Sequence, residues 1–257
     1  MAPMKVLIVA APPTARSLTA ALAATALDAA REAGHEATLV DLRALGWGAS
    51  VEPSDYGLDE HAGTVGDDAA AALERGRLAP EVREQQELLL AADALVLMFP
   101  LWWSGMPARL KGWVDRVFTQ GFAYALADAD GNPRKYGDGA LAGRRGLVIV
   151  STGDRPTSYR DRGVNTGLED VLFPVTHGLL WYTGIAPLPL CELPGVDSPA
   201  WMGDDAAHRL VRERIAGLEH DAPIPYRRLL DDYDGDRMLR GDLAPGRTGL
   251  AVHRRDG

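Results

Sequence analysis

The chain has 257 residues, with 27 basic against 36 acidic side chains and a formal net charge of −9. That acidity argues against a nucleic-acid partner, which wants a basic face, and the lone Cys191 excludes an internal disulfide or a cysteine metal cluster and fits a reducing cytoplasm. With 46% hydrophobic residues a substantial core can form, but no apolar run approaches the roughly 20 residues of a membrane span, and Met1-Ala2-Pro3-Met4-Lys5 lacks a signal-peptide layout.

Apolar runs alternate with helical patterns. Lys5–Ala11 reads as a first strand, followed by a helix over Ser17–Ala33 with Gly34 at its C-terminal stop. Glu36–Leu42 is the second strand. The segment 46–76, rich in Gly, Asp and Ser, reads as a long excursion. A helix over Pro80–Ala91 precedes the third strand, Ala94–Pro100, and another over Pro107–Phe118 follows it. Asp128–Leu141 is an exposed loop with turn signals at Asp130-Gly131-Asn132-Pro133. Gly146–Thr152 is the fourth strand, Leu168–Tyr182 a helix, Ile185–Leu193 the fifth strand and Asp204–Glu219 a last helix. Short apolar strands separated by helices predict an α/β fold: a doubly wound, five-stranded parallel sheet in the flavodoxin-like order 2-1-3-4-5. This domain is expected over 1–220. From Asp221 the chain turns irregular, and 221–257 is expected as an extension over the body or over a partner subunit, with a partly disordered tail as the alternative.

In an open α/β sheet, ligands bind at the carboxyl ends of the strands, and three loops there carry candidate chemistry. After the first strand, Thr14, Ser17 and Thr19 offer hydroxyls and Arg16 a positive charge beside Leu18 at a helix start, a setting for a phosphate; the same hydroxyls also suit a plain helix cap. After the third strand, Pro100-Leu101-Trp102-Trp103-Ser104 presents two adjacent tryptophans that suit a flat ligand or, equally, pack the turn against the core. After the fourth strand come Ser151-Thr152-Gly153-Asp154, with Gly153 permitting close backbone approach. There is no G-x-G-x-x-G dinucleotide fingerprint, no P-loop and no G-x-S-x-G elbow. The six histidines form no ligand spacing, so no metal site is expected. His177 lies in an apolar helix and reads as a core or interface residue.

The run Phe99–Phe118 (FPLWWSGMPARLKGWVDRVF), followed by Gly121-Phe122-Ala123-Tyr124, closely resembles the NAD(P)H:quinone oxidoreductase, or DT-diaphorase-like, flavoproteins. Lys5–Leu22, Leu73–Asp93 and Leu147–Gly163 extend the resemblance, which covers about residues 4–195. It implies a cytoplasmic homodimer that binds FAD, with FMN the alternative. It implies that NAD(P)H gives a hydride to the flavin and that a quinone or similarly planar acceptor takes it in ping-pong fashion. It places the flavin on loops 14–19, 100–104 and 151–154. It makes Trp103, Phe122 and Tyr124 walls of the substrate pocket, the last two reaching the other subunit's site, and puts Tyr159 on the family's catalytic tyrosine.

Four positions depart from that pattern. Pro12 stands where the family has His, Leu18 where it has an aromatic, Ser104 where it often has a bulky aromatic, and Asn165 where the tyrosine's partner His belongs. Asn can support Tyr159 by a hydrogen bond but cannot take up a proton at neutral pH. These departures leave two other readings open: a biosynthetic tailoring reductase of a polycyclic aromatic, and a non-enzymatic flavodoxin-like regulatory subunit.

Overall fold

The computed structural model describes residues 3–255. Strands β1 (Lys5–Ala10), β2 (Glu36–Asp41), β3 (Ala94–Pro100) and β4 (Arg145–Thr152) pair in parallel in the order β2-β1-β3-β4. The period of two explains why these apolar runs become central strands. Leu7, Val9, Leu95, Leu97, Phe99, Val148 and Val150 enter one buried cluster, while Val6, Ile8, Ala94, Val96, Met98, Leu147 and Ile149 enter the other. A sheet apolar on both faces must be covered on both.

The helices supply that cover. On one face lies α1 (Leu18–Glu32), which buries Leu22, Ala23, Ala26 and Ala30. It ends at Ala33, and Gly34 turns the chain at φ +86°. Helix α2 (Val65–Glu74) sits within the excursion. Helices α3 (Pro80–Ala91) and α4 (Ala108–Val117) bury Val82, Leu89, Leu110, Trp113 and Val117 in the other cluster. The short pieces α5 (Leu168–Val171) and α6 (Phe173–Val175) follow β4, and α7 (Asp204–Ala216) joins α1 on the first face through Ala207, Val211 and Ile215. Burying each large aliphatic or aromatic side chain is worth about 1.5–3 kcal/mol. No helix among the described residues is long and apolar enough to cross a membrane.

Two elements differ from the sequence expectation. The fifth strand is split: β5 (Ala186–Pro187) pairs with Arg145–Gly146, and β6 (Cys191–Pro194) pairs with Ile149–Thr152. One residue more separates Pro187 from Cys191 than separates their partners, so the chain bulges there. Pro187 and Pro189 have no N–H to give a ladder. The expected helix 168–182 is broken into α5, α6 and a π-helical turn over Thr176–Trp181. Pro174 removes a helical donor, and Thr176 Oγ1 donates back to Leu172 O at 3.3 Å.

The excursion is ordered, with a 3₁₀ turn at Pro53–Tyr56 and α2 capped by Thr64. Asp55, buried at its base, accepts a bidentate pair from Arg116 of α4, with Nη2 at 2.6 Å and Nε at 3.0 Å. Gly112 of α4 lets the excursion close up, since a Cβ there would stand 2.3 Å from Ala49 O.

Beyond α7 the chain folds back over the segment after α6. Ile224 N donates to Pro187 O at 2.7 Å, Trp181 Nε1 to Arg227 O at 2.8 Å and Arg254 Nη1 to Glu169 Oε2 at 2.7 Å. It includes α8 (Leu229–Asp232).

Candidate active site

β1, β3 and β4 are adjacent and parallel, so the loops at their carboxyl ends meet along one edge. Ala11 N donates to Met98 O at 2.9 Å and Leu101 N to Ser151 O at 2.8 Å, which ties the three loops together. The structure thereby brings residues 14–19, 100–104 and 151–154 to the same place.

In the first loop Ser17 is the N-cap of α1. Its Oγ accepts from Ala20 N at 3.3 Å and donates to Thr14 O at 2.8 Å. Thr14 and Arg16 are exposed, and Arg16 makes no ion pair among the described residues. Leu18 and Thr19 turn inward, Leu18 against the α1 core. Their N–H groups have no acceptor among the described residues. They stand at the positive end of α1, where an anionic group is favoured.

The second loop is a tight turn. Trp102 N donates to Gly105 O at 3.1 Å, and Gly105 N returns to Trp102 O at 3.0 Å. The two residues between, Trp103 and Ser104, have φ of +50° and +57°. That is the left-handed region, which costs a bulky L residue on the order of 1 kcal/mol. The strain lifts Trp103 off the protein: its side chain is fully exposed, and Trp102 is half exposed. Leu101 and Met106, not the tryptophans, pack the turn against the core. The N–H groups of Trp103 and Ser104 have no acceptor among the described residues.

The third loop starts at Thr152, only 2% exposed, whose Oγ1 is buried with no hydrogen-bond partner. A buried hydroxyl left unpaired costs about 1–3 kcal/mol. Gly153 follows in a place where a Cβ would stand 2.4 Å from Asp197 Oδ2. The Asp154 carboxyl is held below the usual carboxylate range by the Arg155 backbone N–H, with further donors from Ser158 and Asn165. Asn165 Nδ2 reaches Asp154 Oδ2 at 3.2 Å. Tyr159 is half-buried against the core, and no hydrogen bond joins it to Asn165 among the described residues. The amide expected beside the tyrosine is spent on the aspartate.

Phe122 and Tyr124 lie elsewhere in the chain. Phe122 is buried in the core. Tyr124 lines a cleft of about 240 Å³ with Tyr56, Val65, Phe118, Leu179 and Tyr182. That cleft shares no residue with the three loops. Burial, then Tyr182 and Asp67, push the Tyr124 phenol up, and burial with Asp55 pushes Tyr56 up to about 12. Tyr56 and Tyr182 were missed in the sequence. The aromatic end of the LLWY run was the available signal for Tyr182, and an irregular excursion concealed Tyr56. Cys191 is buried in β6, where burial pushes its thiol up to about 12 and leaves it inert as a nucleophile.

The family model described as having a flavodoxin-like fold matches residues 4–214. The ribosyldihydronicotinamide dehydrogenase-like protein traD of Penicillium crustosum is 36% identical, over 98% of this chain and 96% of its own. The NAD(P)H dehydrogenase [quinone] 1 of Rattus norvegicus is 31% identical, over 73% of this chain and 68% of its own. The chain belongs to the NAD(P)H quinone dehydrogenase family, with a flavodoxin-like fold. A candidate quinone reductase from Klebsiella pneumoniae superposes with a TM-score of 0.89 at 37% identity, covering 98% of this chain and 99% of that one.

For a member of this quinone dehydrogenase family, the carboxyl edge fits a bound flavin. The orphaned Thr152 Oγ1, the free N–H groups of Trp103 and Ser104 and the open start of α1 are donors in search of acceptors. A flavin presents carbonyl and ring-nitrogen acceptors and a phosphate. The Pro12 and Leu18 departures leave those donors in place: Pro12 is buried, and Leu18 contributes its backbone.

Proposed function

We propose that the protein is a flavin-dependent NAD(P)H oxidoreductase that reduces quinones or similarly planar acceptors by two electrons. The observation that carries this reading is the carboxyl edge itself, where unpaired donors from three loops surround a strained turn bearing a fully exposed tryptophan. A bound flavin would supply the hydride chemistry that links NAD(P)H to the acceptor.

The chain's own residues hold and tune. Leu18 and Thr19 N–H groups, with Thr14 and Arg16, take the phosphate at the positive end of α1. Pro100, Leu101, Trp102 and Ser104 offer backbone to the ring, and Trp103 gives one face of the acceptor slot. Ser151, Thr152, Gly153 and Asp154 line the edge where negative charge grows on reduction, and the Thr152 hydroxyl is preorganised to stabilise it. Tyr159 donates its O–H there, acting without an ionisable partner at position 165.

Tyr124 serves a second copy, whereas Phe122, expected beside it, is held in the core of its own chain. The Tyr124 cleft shares no residue with the loops of its own chain, so a twofold homodimer completes each pocket from two chains. We assign FAD, with FMN the alternative, and a cytoplasmic location. Steady-state kinetics with NADH or NADPH and menadione are the test. Parallel double-reciprocal lines and a flavin bleached by NAD(P)H alone are expected. A flavin-loaded protein that neither nucleotide bleaches would overturn the reading.

A further inference from the structure

A second cleft, of about 220 Å³, lies under the C-terminal segment and is lined by Lys135, Tyr136, His177, Leu229, Tyr233, Arg237 and His253. Its walls are rings. Tyr136 and His177 are 4.9 Å apart by centroid, His177 and His253 5.5 Å, and Tyr233 stacks on His253 at 6.1 Å and 16°. The polar tips of two of these rings satisfy each other, with Tyr233 Oη 2.7 Å from His253 Nδ1. The lining is therefore aromatic, and Leu229 adds an apolar surface.

The cleft also holds two cations that the fold leaves unneutralised. Around it, Arg227, Arg228, Arg254 and Arg255 all have carboxylate partners. Lys135 and Arg237 have none within ion-pair distance among the described residues. Asp234, next to Tyr233, spends its Oδ1 on backbone donors, accepting from Asp236 N and Met238 N. Arg237 itself stands at φ +63°, a costly backbone for a long side chain. Burial, then the charge of Arg237, lowers the Lys135 pKa. In a chain of net charge −9, two like charges held together beside an aromatic slot ask for an anion.

We propose that this cleft binds a planar aromatic anion, a fused-ring compound carrying one carboxylate. The rings lie against this aromatic lining and Leu229, and the carboxylate is held by Lys135 and Arg237. The cleft borders the Tyr124 cleft through Tyr182, whose ring is 5.0 Å from Tyr136. Binding here does not require the flavin, and so stands apart from the redox reading.

The test is equilibrium binding of anthraquinone-2-carboxylate to the flavin-free full chain, followed by tryptophan fluorescence and calorimetry, against the neutral 2-hydroxymethyl analogue. The acid should bind at least about tenfold tighter, the scale of one charge-assisted hydrogen bond. The Lys135→Gln/Arg237→Gln double variant should erase that preference while leaving the neutral analogue's affinity unchanged. Both side chains sit on loops, so the variant should melt like the parent. Leu229→Trp, which fills the slot, should weaken both ligands. Equal affinity for acid and alcohol, a preference that survives the double variant, or binding unaffected by Leu229→Trp would each overturn the proposal.

Discussion

The turn at Trp102–Gly105 and the ring cluster around His177 both gather aromatic side chains, but they differ in what covers them. The turn is strained, its central tryptophan is fully exposed and its inner N–H groups are unpaired. The Tyr226 side of the ring cluster is closed by the chain itself: Tyr226, 2% exposed, wedges between Phe173, His177 and Trp181, and its hydroxyl lies 2.8 Å from Thr176 Oγ1. One region stores cost and waits for something outside the chain. The other has its hydrogen bonds and packing around Tyr226 met by the C-terminal segment, and opens only at the cleft that Lys135 and Arg237 border. The lesson is that exposure of a large aromatic is informative when backbone strain is what maintains it.

Substitutions can break this contrast, and the largest effect is expected in the closed region. Tyr226→Ala should destabilise by about 3–5 kcal/mol through the cavity it leaves, read as a lower urea midpoint with the flavin band of the surviving native protein unchanged. Next comes the open edge. Tyr159→Phe should slow flavin reduction by NAD(P)H roughly ten- to a thousand-fold, about 1.4–4 kcal/mol, with stability within about 0.5 kcal/mol of the parent. Stopped-flow reduction and a urea melt of the same preparation check both halves. A pH titration separates the regions further. Burial, with His253 second, depresses His177 to about 4. Its neutral form is therefore the folded one, so its share of stability is present above the unfolded pKa near 6.5 and is lost as pH falls toward 4. Allowing for partial exposure, the loss is on the order of 2 kcal/mol, and His177→Phe should flatten that part of the stability curve. The smallest effect has the opposite sign. Trp103→Gly should stabilise by up to about 1 kcal/mol, because glycine accepts the positive φ that tryptophan does not, while acceptor KM rises.

The same contrast explains what could be read from the sequence. Central strands were legible because apolar runs such as ALVLM admit only a two-sided burial, and the loops at their carboxyl ends followed from the topology. The helix of the excursion was not, because its alanine run sits among the Gly and Asp that mark loops. Pro174, Pro187 and Pro189 were visible, but periodicity alone could not tell that they break a helix and split a strand. At the turn, Trp103 and Ser104 carry no Gly or Asn to announce a left-handed backbone, so the strain was invisible. The resemblance singled out Tyr159 and Asn165 but not the partner Asn165 takes: its amide goes to Asp154, a pairing set by loop geometry.

The central claim is that the unpaired donors of the carboxyl edge are completed by a flavin. The most direct measurement is reconstitution of the purified chain with FAD or FMN, gel filtration, and the absorbance near 450 nm with mass identification of the released cofactor (a generic flavin band), alongside a Thr152→Val variant. The account predicts one flavin per chain in the parent and weaker retention in the variant, which lacks the buried hydroxyl. A parent that emerges colourless after loading with either flavin would contradict it.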